Sequence, residues 1–331
     1  MPLCLPDKWV WDFWLARDAQ QHHVFYLQAP RSLRRSELRH HNASIGHAIS
    51  SDLRRWRVLP DALHPGPSGS WDDLATWTGS VIEHDGRWHM LYTGINRSEG
   101  GLIQRIGLAV SADLTHWTKH PENPVLEADG RWYDLLDPTR WRDQSWRDPY
   151  LFVDPIEGDF RVLITARSCE GPADGAGVLA HARSPDLVQW EVFPALTPPG
   201  EFAQVECPQL ILLEHRYLIL FSCLGEDHSA ARRQRLGNGG VTGTYVFSAQ
   251  ELEGPYVAST APIADANGLG PLYAGKLVES DSQSRAFMAF RGAGDRGFVG
   301  ELTDPLPLQI HDDGRLSLAV DWAVHQPLEV Q

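Results

Sequence analysis

The sequence predicts an all-β fold, a five-bladed β-propeller built around a central channel. Three observations predict it. One phrase recurs along the chain, short strand-like segments alternate with tight-turn dipeptides, and long helical periodicity is missing. The phrase first appears over Gly46–Trp56, GHAISSDLRRW. It returns over Gly107–Trp117 as GLAVSADLTHW and over Ala180–Trp190 as AHARSPDLVQW, with a weaker copy at Tyr245–Leu252. Asp52, Asp113 and Asp186 stand roughly 60–75 residues apart, so 331 residues divide into about five units of one supersecondary size. In each copy a short strand leads into a turn where Ser and Asp satisfy local backbone groups, followed by a Trp that packs.

Between the copies the chain reads as hairpins. Val81–His84 and Arg87–Tyr92 flank Asp85-Gly86, a strong two-residue turn signal. Leu210–Leu213 and Arg216–Phe221 flank Glu214-His215. Phe160–Thr165 follows Glu157-Gly158, and His311–Leu318 contains Asp313-Gly314. Two stretches, Arg31–His41 and Glu226–Gly240, are too irregular for strands. A β-sandwich also accommodates short antiparallel strands, but it gives no reason for the repeat. The whole chain, 1–331, is expected to form a single propeller domain.

Composition narrows the function. Hydrophobic residues make up 42% and charged residues 22%, as in soluble globular proteins. A net charge of −14 disfavours nucleic acid, whose phosphates need Lys and Arg. No apolar run is long enough to span a membrane. Met1–Lys8 lacks a basic segment followed by an apolar one, so no signal peptide is expected. The four cysteines, Cys4, Cys169, Cys207 and Cys223, form no C-x-x-C pair and no disulfide framework. Reduced thiols and a cytoplasmic location are expected. His22-His23 and His40-His41 lack metal-ligand spacing, and no metal or organic cofactor is expected. The 13 tryptophans suit both inter-blade packing and stacking on sugar rings.

Three carboxylates stand in distinctive surroundings and in different repeat units. Asp12 sits in Trp9-Val10-Trp11-Asp12-Phe13-Trp14, Asp148 in Trp146-Arg147-Asp148-Pro149, and Glu206 in Val205-Glu206-Cys207-Pro208. The innermost strands of all propeller blades line one channel, so these side chains can converge. Glycoside cleavage needs a nucleophile or base on one face of the sugar and a protonated carboxyl on the other. Glu206, between Val205 and Cys207, suits the acid because apolar surroundings raise a carboxyl pKa. Asp12 suits the nucleophile. Arg147 beside Asp148 is expected to keep Asp148 ionised for binding sugar hydroxyls.

On these residues the chain resembles glycoside hydrolase family 32, the invertase, inulinase and levanase group. Trp9-Val10-Trp11-Asp12 and His23–Gln28 look like the family's opening block and the strand after it. Gly46–Trp56 matches its Gly-His-Ala-x-Ser-x-Asp-Leu-x-x-Trp phrase. Trp77-Thr78-Gly79-Ser80, Arg147-Asp148-Pro149, Glu206-Cys207-Pro208 and Tyr273-Ala274 follow in order. The resemblance implies a funnel-shaped pocket and a retaining reaction on a β-fructofuranoside. Asp12 would be the nucleophile, Glu206 the acid/base and Asp148 a binder of ring hydroxyls. Trp9, Trp11, Gln28, Trp77, Thr78, Arg147 and Tyr273 would contact the sugar. A small carbohydrate is the implied partner.

The chain departs from the family pattern at Trp11, at Phe13-Trp14-Leu15, at Ile45 and at Pro271-Leu272. It also ends before the family's usual β-sandwich, which implies a short form. The altered first block leaves room for another furanoside, cleaved by an arabinofuranosidase-like enzyme, and a non-catalytic sugar-binding propeller is a third reading. The arginines at 31–39 and at 232, 233 and 235 suit either a bound anion or a solvated loop.

Overall fold

The computed structural model describes residues 2–213, 215–237, 239–263, 272–279, 285–294, 297–311 and 314–318. Glu214, Pro271 and Asp313 lie outside the described residues. Five antiparallel sheets follow one another along the chain, each wound from an inner strand outward. The inner strands are Lys8–Arg17, Ala75–His84, Trp146–Val153, Glu206–Leu213 and Leu272–Glu279. They touch in ring order, the fifth against the first, around a central channel. The fold is therefore the five-bladed propeller expected.

The repeated phrase forms the same turn each time. In the first copy Asp52 Oδ1 accepts from the N–H groups of Arg54 (3.0 Å) and Arg55 (2.8 Å). Asp113 serves Thr115 and His116 (2.9 and 2.8 Å), and Asp186 serves Val188 and Gln189 (2.9 and 2.8 Å). The leucine of each copy, Leu53, Leu114 and Leu187, is buried at φ of 58°, 62° and 68°. This left-handed conformation is unfavourable for a side chain with a Cβ, and here the Asp cap and the buried side chain hold it. In the second and third copies the Trp indole N–H closes the turn, Trp117 onto Leu114 O (2.9 Å) and Trp190 onto Leu187 O (3.0 Å).

Ala75–His84 and Arg87–Ile95 pair in register through His84 and Arg87. Asp85 and Gly86 both have positive φ, 51° and 68°, as a type I′ turn requires. The irregular stretch Arg31–His41 contains two 3₁₀ segments, Arg31–Leu33 and Ser36–Asn42. The described residues of Glu226–Gly240 include a short α-helix, Ala230–Leu236. Ser229 caps its start and Gly237, at φ 66°, ends it. Among the described residues no helix is long and apolar enough to cross a membrane.

Apolar side chains are buried in layers between neighbouring blades. The ring closes at the seam of the first and fifth blades. Leu302 N–H donates to Leu3 O (3.1 Å), and Arg31 reaches Val299 O (2.9 Å). Trp9 belongs to this seam, with Arg31 stacked over its ring at 5.8 Å.

Candidate active site

All five inner strands break register at the same level of the channel. The shifts fall between Trp11 and Phe13, between Trp77 and Gly79, opposite Leu163 and Thr165 at Asp148, between Glu206 and Gln209, and between Tyr273 and Lys276. An extra residue in one strand of a pair frees it from the ladder and re-aims its side chain. Asp148, Cys207 and Ala274 sit in these bulges with φ of 57°, 54° and 49°. The ring of bulges turns Asp12, Thr78, Asp148, Glu206 and Tyr273 toward a cavity of about 520 Å³. That volume lies within the range of small-molecule sites.

Inside the cavity the carboxylates are cross-linked. Thr78 Oγ1 donates to Asp12 Oδ2 (2.8 Å). Asp148 Oδ2 accepts from Thr165 Oγ1 and from the Cys207 N–H, both at 3.1 Å. Arg147 Nη2 donates to Glu206 Oε1 (2.5 Å) and to Gln204 Oε1 (2.5 Å), while its Nη1 reaches Gln104 Oε1 (3.2 Å). Tyr273 Oη donates to Glu206 Oε2 (2.5 Å).

Electrostatics reverse the expectation for Glu206 and weaken the one for Asp148. Glu206 was expected to stay protonated among apolar neighbours. Its burial does favour the neutral acid, but the Arg147 charge and the bonds from Tyr273 and Arg147 hold the carboxyl below its usual range. Arg147 was expected to keep its neighbour Asp148 ionised. Its guanidinium instead turns to Glu206, leaving Nε 3.7 Å from Asp148 Oδ2. Burial raises the Asp148 pKa despite Arg147. Asp12 is pushed up to about 7, first by burial and then by the charge of Asp148.

Of the residues expected to contact sugar, Trp11, Trp77, Thr78, Arg147 and Tyr273 line the cavity and Trp9 and Gln28 do not. Trp9 is engaged at the ring seam. The Gln28 side chain turns into its own blade, where Nε2 meets Ser44 Oγ (3.3 Å) and Oε1 lies under Gly46. Its strand neighbour Leu27 takes the cavity position, since adjacent strand residues face opposite sides.

The lining also includes residues the motifs did not reveal: Arg39, His40, Gln104, Arg142, Thr242 and Phe298. Arg39 stacks over Phe298 at 4.0 Å and over Trp11 at 5.6 Å. Trp77 Nε1 donates to His40 O (2.7 Å), which docks the Ser36–Asn42 segment onto the cavity wall. Several of the other loop arginines are engaged elsewhere, Arg31 at the ring seam. Arg35 pairs with Glu37, Arg232 and Arg235 with Glu201, and Arg233 bonds the carbonyl of Glu226.

The family model described as glycosyl hydrolases family 32 N-terminal domain matches residues 14–299. The matched span begins just after Asp12, whose place in the site therefore rests on geometry. A protein of Oryza sativa subsp. indica, beta-fructofuranosidase, insoluble isoenzyme 7, is 26% identical over 337 residues, covering 92% of this chain and 51% of its own length. The chain thus spans about half the length of that relative. An extracellular sucrase of Zymomonas mobilis is 24% identical over 365 residues, covering 96% of this chain and 83% of its own. Among solved structures, inulosucrase from Halalkalicoccus jeotgali bound to kestose aligns with a TM-score of 0.75 at 22% identity, over 95% of this chain and 90% of that one.

Proposed function

Since the chain belongs to glycosyl hydrolases family 32, we propose that it transfers a β-fructofuranosyl unit from a sucrose-like or fructan oligosaccharide to water or to a second sugar. The observation that carries this reading is the ring of bulges, which presents Asp12, Asp148 and Glu206 from three different blades to one cavity. The names of the rice, Zymomonas and Halalkalicoccus relatives support fructosyl chemistry.

In the proposed reaction the Asp12 carboxylate attacks the anomeric carbon. The bond to the leaving oxygen breaks as that oxygen takes the proton of Glu206. A covalent fructosyl-Asp12 ester results. Glu206, now ionised, draws a proton from water or an acceptor hydroxyl, whose oxygen displaces Asp12 with net retention. Asp148 and Arg147 bind ring hydroxyls, and Trp11 and Trp77 supply apolar walls. Two exposed free thiols, Cys4 and Cys169, support action in a reducing compartment such as the cytoplasm.

The pH dependence follows from the carboxyl environments. In the empty site Asp12 is the group pushed up, to about 7, and Glu206 is held below its usual range, so the reacting arrangement, with Glu206 protonated and Asp12 ionised, is a minor form of the singly protonated state. Below Glu206's depressed value both groups are protonated and the nucleophile is lost. Above about 7, where Asp12 titrates, both are ionised and the acid is lost. The value of kcat/KM should therefore be bell-shaped with its alkaline limb near pH 7. The test is sugar release from sucrose, short inulin and levan oligosaccharides and an aryl arabinofuranoside, followed by chromatography across pH. Fructose release with that limb supports the reading. Release of arabinose alone, or no turnover of any fructoside, contradicts it.

A further inference from the structure

Lys276 is a buried lysine three residues beyond Tyr273 on the inner strand of the fifth blade. Its Nζ donates to Cys207 O (2.7 Å) and Pro208 O (3.0 Å). Both carbonyls belong to the bulge that follows Glu206, where pairing jumps from Glu206–Ser222 to Gln209–Leu220. Neither Cys207 nor Pro208 has a register partner on the neighbouring strand there, and a buried carbonyl without a donor is costly. Beside them the Gln209 amide exchanges two bonds with the Leu277 backbone, 2.9 and 2.7 Å. The fourth and fifth inner strands belong to separate sheets. At this level they are joined by side chains, with Lys276 at the centre.

The bulge that Lys276 holds carries two functional groups. The Glu206 carboxyl points up into the cavity, and the Cys207 N–H, in the left-handed region at φ 54°, bonds Asp148 Oδ2. Tyr273 grips the Glu206 carboxyl from the cavity side, while Lys276 grips the backbone beneath it. On its other side Lys276 lines a second cavity of about 510 Å³, together with Arg17, His22, Tyr150, Gln209 and Glu279. The ionisable groups bearing on it from the neighbouring inner strands are Asp12, Asp148 and the Cys207 thiol. Burial disfavours its ammonium form and these groups favour it.

The geometry points to Lys276 as a positioning residue, which fixes the Glu206–Pro208 turn from beneath and thereby sets where the acid/base and the Asp148 contact stand. It touches no reacting atom in this scheme. The inference rests on the roles proposed for Asp12 and Glu206. A misplaced catalytic group costs turnover more than binding, and loss of a nearby positive charge raises carboxyl pKa values.

Lys276→Met is therefore expected to lower kcat about 100-fold with KM changed less than about threefold. Carboxyl midpoints in the substrate-free protein, read by ¹³C NMR titration, should rise by about 0.5–1 unit. The titration needs no turnover, so it separates failure of this inference from failure of the proposed reaction. Should the methionine variant not fold, Lys276→Gln, which keeps donors for the two carbonyls but no charge, is expected to raise the carboxyl midpoints in the same way while recovering most of kcat. A folded variant with wild-type kcat and midpoints overturns the assignment. A loss of kcat with unmoved midpoints overturns it too, by reducing Lys276 to a structural support.

Discussion

Asp12→Asn abolishes turnover, lowering kcat by roughly 10⁴-fold or more, while the protein stays folded and still binds fructose. The amide is isosteric with the carboxyl and keeps an oxygen for the Thr78 hydroxyl, which lies 2.8 Å from Asp12 Oδ2. What it lacks is a charge able to bond the anomeric carbon. Burial and the neighbouring Asp148 already disfavour ionised Asp12, pushing it up to about 7. A neutral amide removes that conflict. Above pH 7 the variant should therefore melt at the same temperature as wild type or higher, since groups placed for reaction are often unfavourable for stability. Steady-state rates, fructose titration calorimetry and thermal melts at pH 8 check the three parts. Residual turnover above a few percent of wild type would remove Asp12 from the role of nucleophile.

Glu206→Gln separates substrates by their leaving groups. General acid catalysis contributes roughly 10²–10⁴-fold, and only where the departing oxygen needs a proton. Release of a sugar alkoxide from an oligosaccharide should fall by that factor. Release of an activated aryl group, which departs as a stable anion, should fall far less. The glutamine fits the same space between Arg147 and Tyr273, so the loss reports the missing proton and not a collapsed site. Equal losses on both substrates would mean that Glu206 holds the sugar and does not protonate it.

Much of this architecture is readable from the chain because its determinants are local. The Ser-x-Asp-Leu-x-x-Trp phrase encodes one turn through contacts within a few residues, as Asp113, Leu114 and Trp117 show. Its spacing then counts the blades. The three carboxylates stand out by their unusual neighbours. The bulges that re-aim them are only partly written in the sequence: Pro149 and Pro208 mark two of them, since proline cannot donate to a ladder, while contacts from elsewhere in the chain, such as those of Thr165 and Lys276, are not legible there. Long-range pairing likewise decides that Arg147 bonds Glu206 more closely than adjacent Asp148. The expected sugar contacts at Trp9 and Gln28 go astray for a related reason. A one-residue choice of strand face exchanges Gln28 for Leu27, and ring closure claims Trp9 for the seam with the fifth blade. Arg39 and His40 reach the cavity from a segment whose own residues give no hint of its docking onto Trp77.

The stereochemistry of transfer reads the proposed covalent step at its source. Sucrose is incubated with the enzyme and methanol as acceptor, which traps the anomer before free fructose can equilibrate. Two displacements at one carbon, the first by Asp12 and the second by methanol activated at Glu206, give methyl β-fructofuranoside. A single displacement gives the α-anomer, and its appearance as the first product would contradict a fructosyl-Asp12 intermediate.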